Sequence, residues 1–288
     1  MRTRRDTDMV LRLLAGSALV AGMVGMAGSP ASAAPAKCQV KNLTTQVNYN
    51  GRLQSAIDAA NNGDTIRVKG VCIGNFLIPG AGSVTNLTLV GQPGHKVRST
   101  LDGNHSGTVL TVDFVTSSVH VTIKNLRITG GSLGIFNLGS LTLNGRSSVS
   151  ENRGSGIETP GSLIMNDRSS VSGNTDSGID DEGAVTLNDH SSVRGNTGTD
   201  GGGIFDDDTF LALNDSSSVT GNTAAFGGGI YEIGHVTLSG HASVTGNTAT
   251  IAGGGIIAMV GVDVCPSWTG AISPNTPDDP PPVTPVPC

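Results

Sequence analysis

Residues 139 to 157 read GSLTLNGRSSVSENRGSGI, and four further copies of that sentence follow without a break. They are GSLIMNDRSSVSGNTDSGI from Gly161, GAVTLNDHSSVRGNTGTDGGGI from Gly183, DTFLALNDSSSVTGNTAAFGGGI from Asp208 and GHVTLSGHASVTGNTATIAGGGI from Gly234. Self-similarity at so short a period marks a solenoid. Aligned on Gly-Asn-Thr, the copies put Asn152, Asn174, Asn196, Asn222 and Asn247 in one column, with Ile157, Ile179, Ile204, Ile230 and Ile256 in another.

Within a copy, Leu141 to Asn144 alternates apolar and polar residues, which is strand periodicity. A second short strand carries Ser-Ser-Val and a third carries Gly-Ile. Three strands in so few residues bury almost nothing alone, so they must stack at about 4.8 Å around a shared interior. The expectation is an all-β, single-stranded parallel β-helix. Its inward columns should be Leu141, Leu163, Val185, Leu211 and Val236, then Val149, Val171, Val193, Val219 and Val244, then the isoleucines. Stacked asparagine amides would bond to one another and to turn backbone, a structural role that outweighs a catalytic one because it recurs in every coil. Glycine pairs such as Gly202-Gly203 and Gly228-Gly229 are expected to supply positive φ at corners.

Ahead of the repeats, LQSAIDAAN (53–61) places Leu53, Ile57 and Ala60 at helical spacing. A short N-terminal helix capping the open end of the stack is expected there, shielding strand edges. At the start of the chain, Arg2, Arg4, Arg5 and Arg12 accompany an apolar run that ends in Ala31-Ser32-Ala33, the pattern of a secretory signal peptide over 1–33. The rest divides into a lead-in (34–50), the β-helix (51–263) and an extended proline-rich tail (264–288). Removing the signal takes the formal net charge from −6 to about −8, a surface that repels nucleic acid phosphates. The mature chain carries no apolar run long enough to span a bilayer as a helix.

Four cysteines in an oxidising compartment imply two disulfides. Of three formal pairings, Cys38 with Cys72 and Cys265 with Cys288 is expected, because a solenoid holds its two ends apart.

The opening LQSAIDAANNGDTIRVKG resembles the way members of the right-handed β-helix, pectin-lyase-like superfamily begin. The Gly-Asn-Thr…Gly-Gly-Ile repeats resemble those of polymorphic outer membrane proteins and related bacterial adhesin-like proteins. The resemblance implies a right-handed coil and, for several members of the superfamily, cleavage of acidic polysaccharides. Their motifs do not transfer. Asn174-Thr175-Asp176 is followed by Asp180-Asp181 too soon to be the paired aspartate of a polygalacturonase, and Asp189-His190 lacks the tryptophan of a pectate lyase. Asp189-His190 falls in a turn column with Arg146, Arg168, Ser216 and His241, read as solvated.

What breaks the register is an acidic edge just past the isoleucine column. It comprises Glu158, then Asp180, Asp181 and Glu182, then Asp206, Asp207 and Asp208, then Glu232. Like charges at about 5 Å repel by roughly 3 kcal/mol at an effective dielectric near 20, so they must splay, share protons or bind a cation. Calcium is the cation such oxygens suit, with Glu158, Asp180, Asp181, Asp206, Asp207 and Asp208 as its ligands. Phe205 and Tyr231, each one residue past an inward isoleucine, should face outward and stack on a sugar ring, with Glu232 beside them. No arginine or lysine stands near the acids as a base, which favours a secreted, non-catalytic β-helix presenting a repetitive surface for binding or adhesion, to extracellular polysaccharide or a cell surface. The alternative is an acidic-polysaccharide lyase or hydrolase using Asp180, Asp181, Asp206 and Asp207. Ice binding through Thr142, Thr186 and Thr237 ranks last, since Ile164 and Ala212 interrupt that column.

Overall fold

A computed structural model describes residues 37–80, 84–94, 98–113, 119–207, 210–277 and 281–287. The chain winds as a parallel β-solenoid whose coils each contribute one strand to three sheets, called here faces one, two and three. Face one holds 11 strands, and faces two and three hold 8 each. The first complete coil is Asp64–Lys69, Val71–Ile73 and Phe76–Ile78, and the eighth is His235–Leu238, Ser243–Thr245 and Ile256–Ala258.

The inward columns are those the repeat dictates. On face one Leu141 pairs with Leu163, then Val185, Leu211 and Val236, each fully buried. Val149, Val171, Val193, Val219 and Val244 stack on face two, and the five isoleucines on face three. A parallel register sets each apolar side chain on another of its own shape, so the interior is continuous.

The N-terminal end is closed on every face. Strand Gln39–Asn42 pairs antiparallel with Asp64–Lys69, covering the edge of face one. Lys37 bridges Val71, and the disulfide Cys38–Cys72 pins that segment to face two. Helix Leu53–Asp58 buries Leu53, Ala56 and Ile57 against the first coil. Its Gln54 amide donates to the Leu77 carbonyl at 2.8 Å and accepts from the Leu77 N–H at 2.9 Å, standing in for a missing neighbouring strand. The other expected disulfide includes Cys288, which lies outside the described residues, as do the signal segment and Asp208.

The proline-rich stretch after Val264 is extended, as its composition dictates, yet it is paired. Ala271 bridges Ser243, Thr276 bridges Thr248, and Val283–Pro285 lies parallel to Gly261–Val264. Proline is tolerated because this is the last rung, where a strand needs donors on one side only. Trp268 donates from Nε1 to the Ala242 carbonyl at 2.9 Å.

The asparagine column is a continuous ladder. Each Oδ1 accepts both the backbone N–H and the Nδ2 of the asparagine one coil earlier, for example Asn174 to Asn196 at 3.0 and 2.9 Å and Asn222 to Asn247 at 2.9 and 3.0 Å. Asn275 extends it by a sixth rung. The amides crowd the glycines of face three. A Cβ on Gly203 would lie 2.8 Å from Asn222 Nδ2 and 2.5 Å from the Gly229 carbonyl oxygen. Glycine stands there for want of space; positive φ is needed one step earlier than expected, at Gly201 (57°) and Gly227 (58°).

Asn196→Ala should therefore destabilise by about 3 kcal/mol or more, since it takes away the acceptor of both Asn174 donors in a dry interior and leaves Asn222 Oδ1 with only the backbone N–H of residue 196. Thr197→Ala, one exposed residue on, should stay within about 0.5 kcal/mol. Urea melts of the two variants test the difference, and equal midpoints would overturn it.

Candidate functional site

Strict alternation on face three splits the acidic edge into two columns. The isoleucine points in, the next residue out and the next in again. The outward column runs Phe136, Glu158, Asp180, Phe205, Tyr231 and Ile257 on successive coils. The inward one runs Asn137, Thr159, Asp181, Asp206 and Glu232, all with no exposed surface.

Outside, Phe205 and Tyr231 stack with ring centroids 5.6 Å apart and planes 24° from parallel, both half-buried. Beside them Glu158 and Asp180 occupy adjacent rungs. A recess of about 100 Å³ opens there between Phe136, Pro160, Glu158, Asp180 and Glu182. Burial first, and then Asp176 and Glu182, raise the Glu158 carboxyl above its ordinary range. The same causes push Asp180 to about 6, with burial foremost and Glu158 the largest charge. This strip of like charges therefore takes up protons at a higher pH than ordinary carboxylates do.

Inside, the column closes the corner between faces three and one. Asn137 Oδ1 accepts the Gly139 N–H at 3.1 Å, Asp181 Oδ1 that of Gly183 at 3.1 Å, and Glu232 Oε1 that of Gly234 at 2.6 Å. Asn137 Nδ2 donates to Thr159 Oγ1 at 2.9 Å, so amide and hydroxyl pair directly. Carboxylates cannot do this. Glu232 Oε2 is buried and meets no N–H or hydroxyl donor, and its neighbour is the Asp206 carboxyl, itself an acceptor. Only a proton between them joins two acceptors, and Glu232 carries it: burial foremost, then Asp206, pushes its carboxyl to about 9.

This placement corrects the expected site. Glu232 does not stand beside Tyr231 on the outer surface, and Asp181 and Asp206 are sealed from any sugar. Of the residues expected around calcium, Glu158, Asp180 and Asp207 face out while Asp181 and Asp206 face in, and Asp208 is not described. Among the described residues no group of three or more His, Cys, Asp or Glu is arranged to hold a metal ion. Phe136 and the inner Asn137 and Thr159 were not singled out from sequence. The signal was there, because alternation that turns Phe205 outward must turn Asp206 inward.

Asp189, in the Asp189-His190 pair, is a rung of another ladder. Its Oδ2 accepts the Asp167 N–H at 2.9 Å, and its own φ is 55°.

The buried proton predicts how stability depends on pH. The folded chain keeps it up to about pH 9, whereas the unfolded chain releases it near the ordinary glutamate value. Stability from this group is full in mild acid and falls as pH rises through that window. Glu232→Gln supplies a permanent donor to Asp206, so its melting temperature should decline less between about pH 5 and pH 9 than that of the unmodified chain. Parallel curves would overturn the assignment.

No protein-family model, no curated protein and no solved structure matches this chain.

Proposed function

We propose that the protein is a secreted, non-catalytic β-helix that binds carbohydrate on face three. Residues 1–33 supply the secretory signal, and the Cys38–Cys72 bridge suits an oxidising compartment. The β-solenoid and its disulfide are structural findings; secretion and ligand are this reading. One observation carries it: an outward ring stack in a chain with only 3% aromatic residues, placed beside carboxyls that would accept sugar hydroxyl protons. The partner is an extracellular polysaccharide or a cell-surface glycan, and the superfamily resemblance points the same way.

The test is calorimetric titration of the full chain with neutral and acidic oligosaccharides. Phe205→Ala should weaken binding by roughly tenfold, in keeping with an aromatic contact of about 1 kcal/mol or more, while the half-exposed site leaves the melting temperature nearly unchanged. Unaltered affinity would sink the proposal.

A second reading is hydrolysis. Glu158 and Asp180 are directly paired on adjacent rungs, and Asp180 is raised to about 6 as a general acid would be. If it holds, reducing ends are released from a polysaccharide near pH 5 to 6 and Asp180→Asn abolishes the release. If a broad panel gives none, the face binds without cleaving.

A further inference from the structure

A wide recess lies away from face three, at the corner between faces one and two. It has a volume of about 470 Å³ and is lined by Asn125, Arg146, Asp167, Arg168, Asp189 and His190. Its origin is a difference in corner length. Lys124 and Arg127 of coil three pair with Asn144 and Ser148 of coil four. Coil three therefore turns its corner with Asn125 and Leu126 alone, where coil four uses Gly145, Arg146 and Ser147. Coil two, on the other side, carries a longer loop ending at Arg98 and Ser99. The recess opens where this short corner meets the longer one of coil four.

The residues that line the notch differ in how they are already engaged. Asp167 and Asp189 point one carboxylate oxygen at backbone: Asp167 Oδ2 accepts the Gly145 N–H at 2.6 Å and Asp189 Oδ2 the Asp167 N–H at 2.9 Å. Both take up the left-handed conformation, with φ of 59° and 55°. These acids hold the corner together. The guanidinium groups of Arg146 and Arg168 form no ion pair among the described residues and are exposed. Arg127, near the coil-two end, is held by Glu151 at 2.6 Å. Arg98 is held below its ordinary value by burial first and then by Arg127 and Arg146, which places three guanidinium groups within each other's field. Of these three only Arg146 lines the notch, where it and Arg168 present free N–H donors beside Asp167 and Asp189, whose carboxylates are turned toward backbone.

We propose that this notch binds the anionic groups of a polysaccharide, with Arg146 and Arg168 each taking one sulfate or carboxylate and His190 extending the row. Arg146, Arg168 and His190 sit on consecutive coils, about 4.8 Å apart along the axis. A saccharide chain with one anion per sugar, laid along the axis, meets a guanidinium on each of two rungs and the imidazole on the next. Guanidinium groups match both oxyanions with paired N–H donors. The row ends where the repeat puts Ser216 in the same turn position, so the site covers a short segment. A long nucleic acid would meet the net negative surface beyond it. The notch is separate from the ring stack and does not depend on what face three holds.

The experiment is titration of the full chain with dextran sulfate, polygalacturonate, neutral dextran and single-stranded DNA at low and high salt. Dextran sulfate, polygalacturonate or both should bind, neutral dextran should not, and affinity should fall steeply as salt rises. Sulfate esters and carboxylates are thereby told apart as the anion recognised. Arg146→Gln with Arg168→Gln should weaken binding by roughly tenfold or more, and the paired lysine substitutions should recover part of the loss by restoring charge without the fork. Both arginines are exposed, and a melt checks that the variants fold; should the glutamine pair fail to fold, Arg168→Gln alone gives the same reading. Phe205→Ala should leave this binding unchanged. Binding of neither polyanion, binding that ignores the arginines, or equal arginine-dependent binding of DNA would overturn the proposal.

Discussion

Parallel stacking in register places every side chain about 4.8 Å from its counterpart in the next coil, and that single constraint decides what each column can contain. Aliphatic residues satisfy it without cost, since valine on valine fills the interior and exposes nothing. Amides satisfy it because each has a donor and an acceptor and can pass a hydrogen bond along the axis. Ionised carboxylates do not, being acceptors only. The coils answer with protons, with backbone N–H groups from the turn, or with exposure.

Polarity is a second consequence. In the buried ladder from Asn152 to Asn275, each amide donates toward the later coil. In the corner ladder of Asn144, Asn166, Asn188 and Asn214, each donates toward the earlier one, at 2.9 Å per step. That second ladder ends on Ser239, whose hydroxyl donates to Asn214 at 2.7 Å, a short side chain substituting for an amide where the repeat loses its asparagine. The two ladders brace opposite ends of the face-two strand, so each coil is held at both corners by bonds running in opposite senses.

The three inward columns, the amide ladder and the helical cap were legible in the sequence because each is a periodic signal, and period survives translation into space. What was not legible came from length and from sidedness. The acidic edge looked like one cluster because Asp180 and Asp181 are adjacent in the chain, yet adjacency in a strand means opposite faces. The glycine pairs looked like turn formers because glycine usually is one; the crowding that requires them comes from an amide one coil away. Arg146 and Arg168 are exposed turn residues as expected, but the recess beside them was not legible, because it depends on coil three being one residue shorter, a fact that lies outside the repeat itself.

The places where coils differ in length are also where the surface acquires shape. Uniform rungs make a flat face, and a flat face offers little to surround a ligand. Between the third and fourth copies the asparagine step grows from 22 to 26 residues, and the added chain becomes a two-stranded sheet in the next coils, Thr223–Phe226 with Thr248–Ala252. Gly201 and Gly227 close that extension back against face three. A Cβ on Gly227 would fall 2.9 Å from Tyr231 Cβ, and one on Gly201 would fall 2.6 Å from Phe205 Cα. The extension therefore abuts the two rungs that carry the ring stack, and the glycines let it do so. Length variation within the repeat builds both surface features, a prop behind the aromatic rings on one side and a missing residue beneath the arginines on the other.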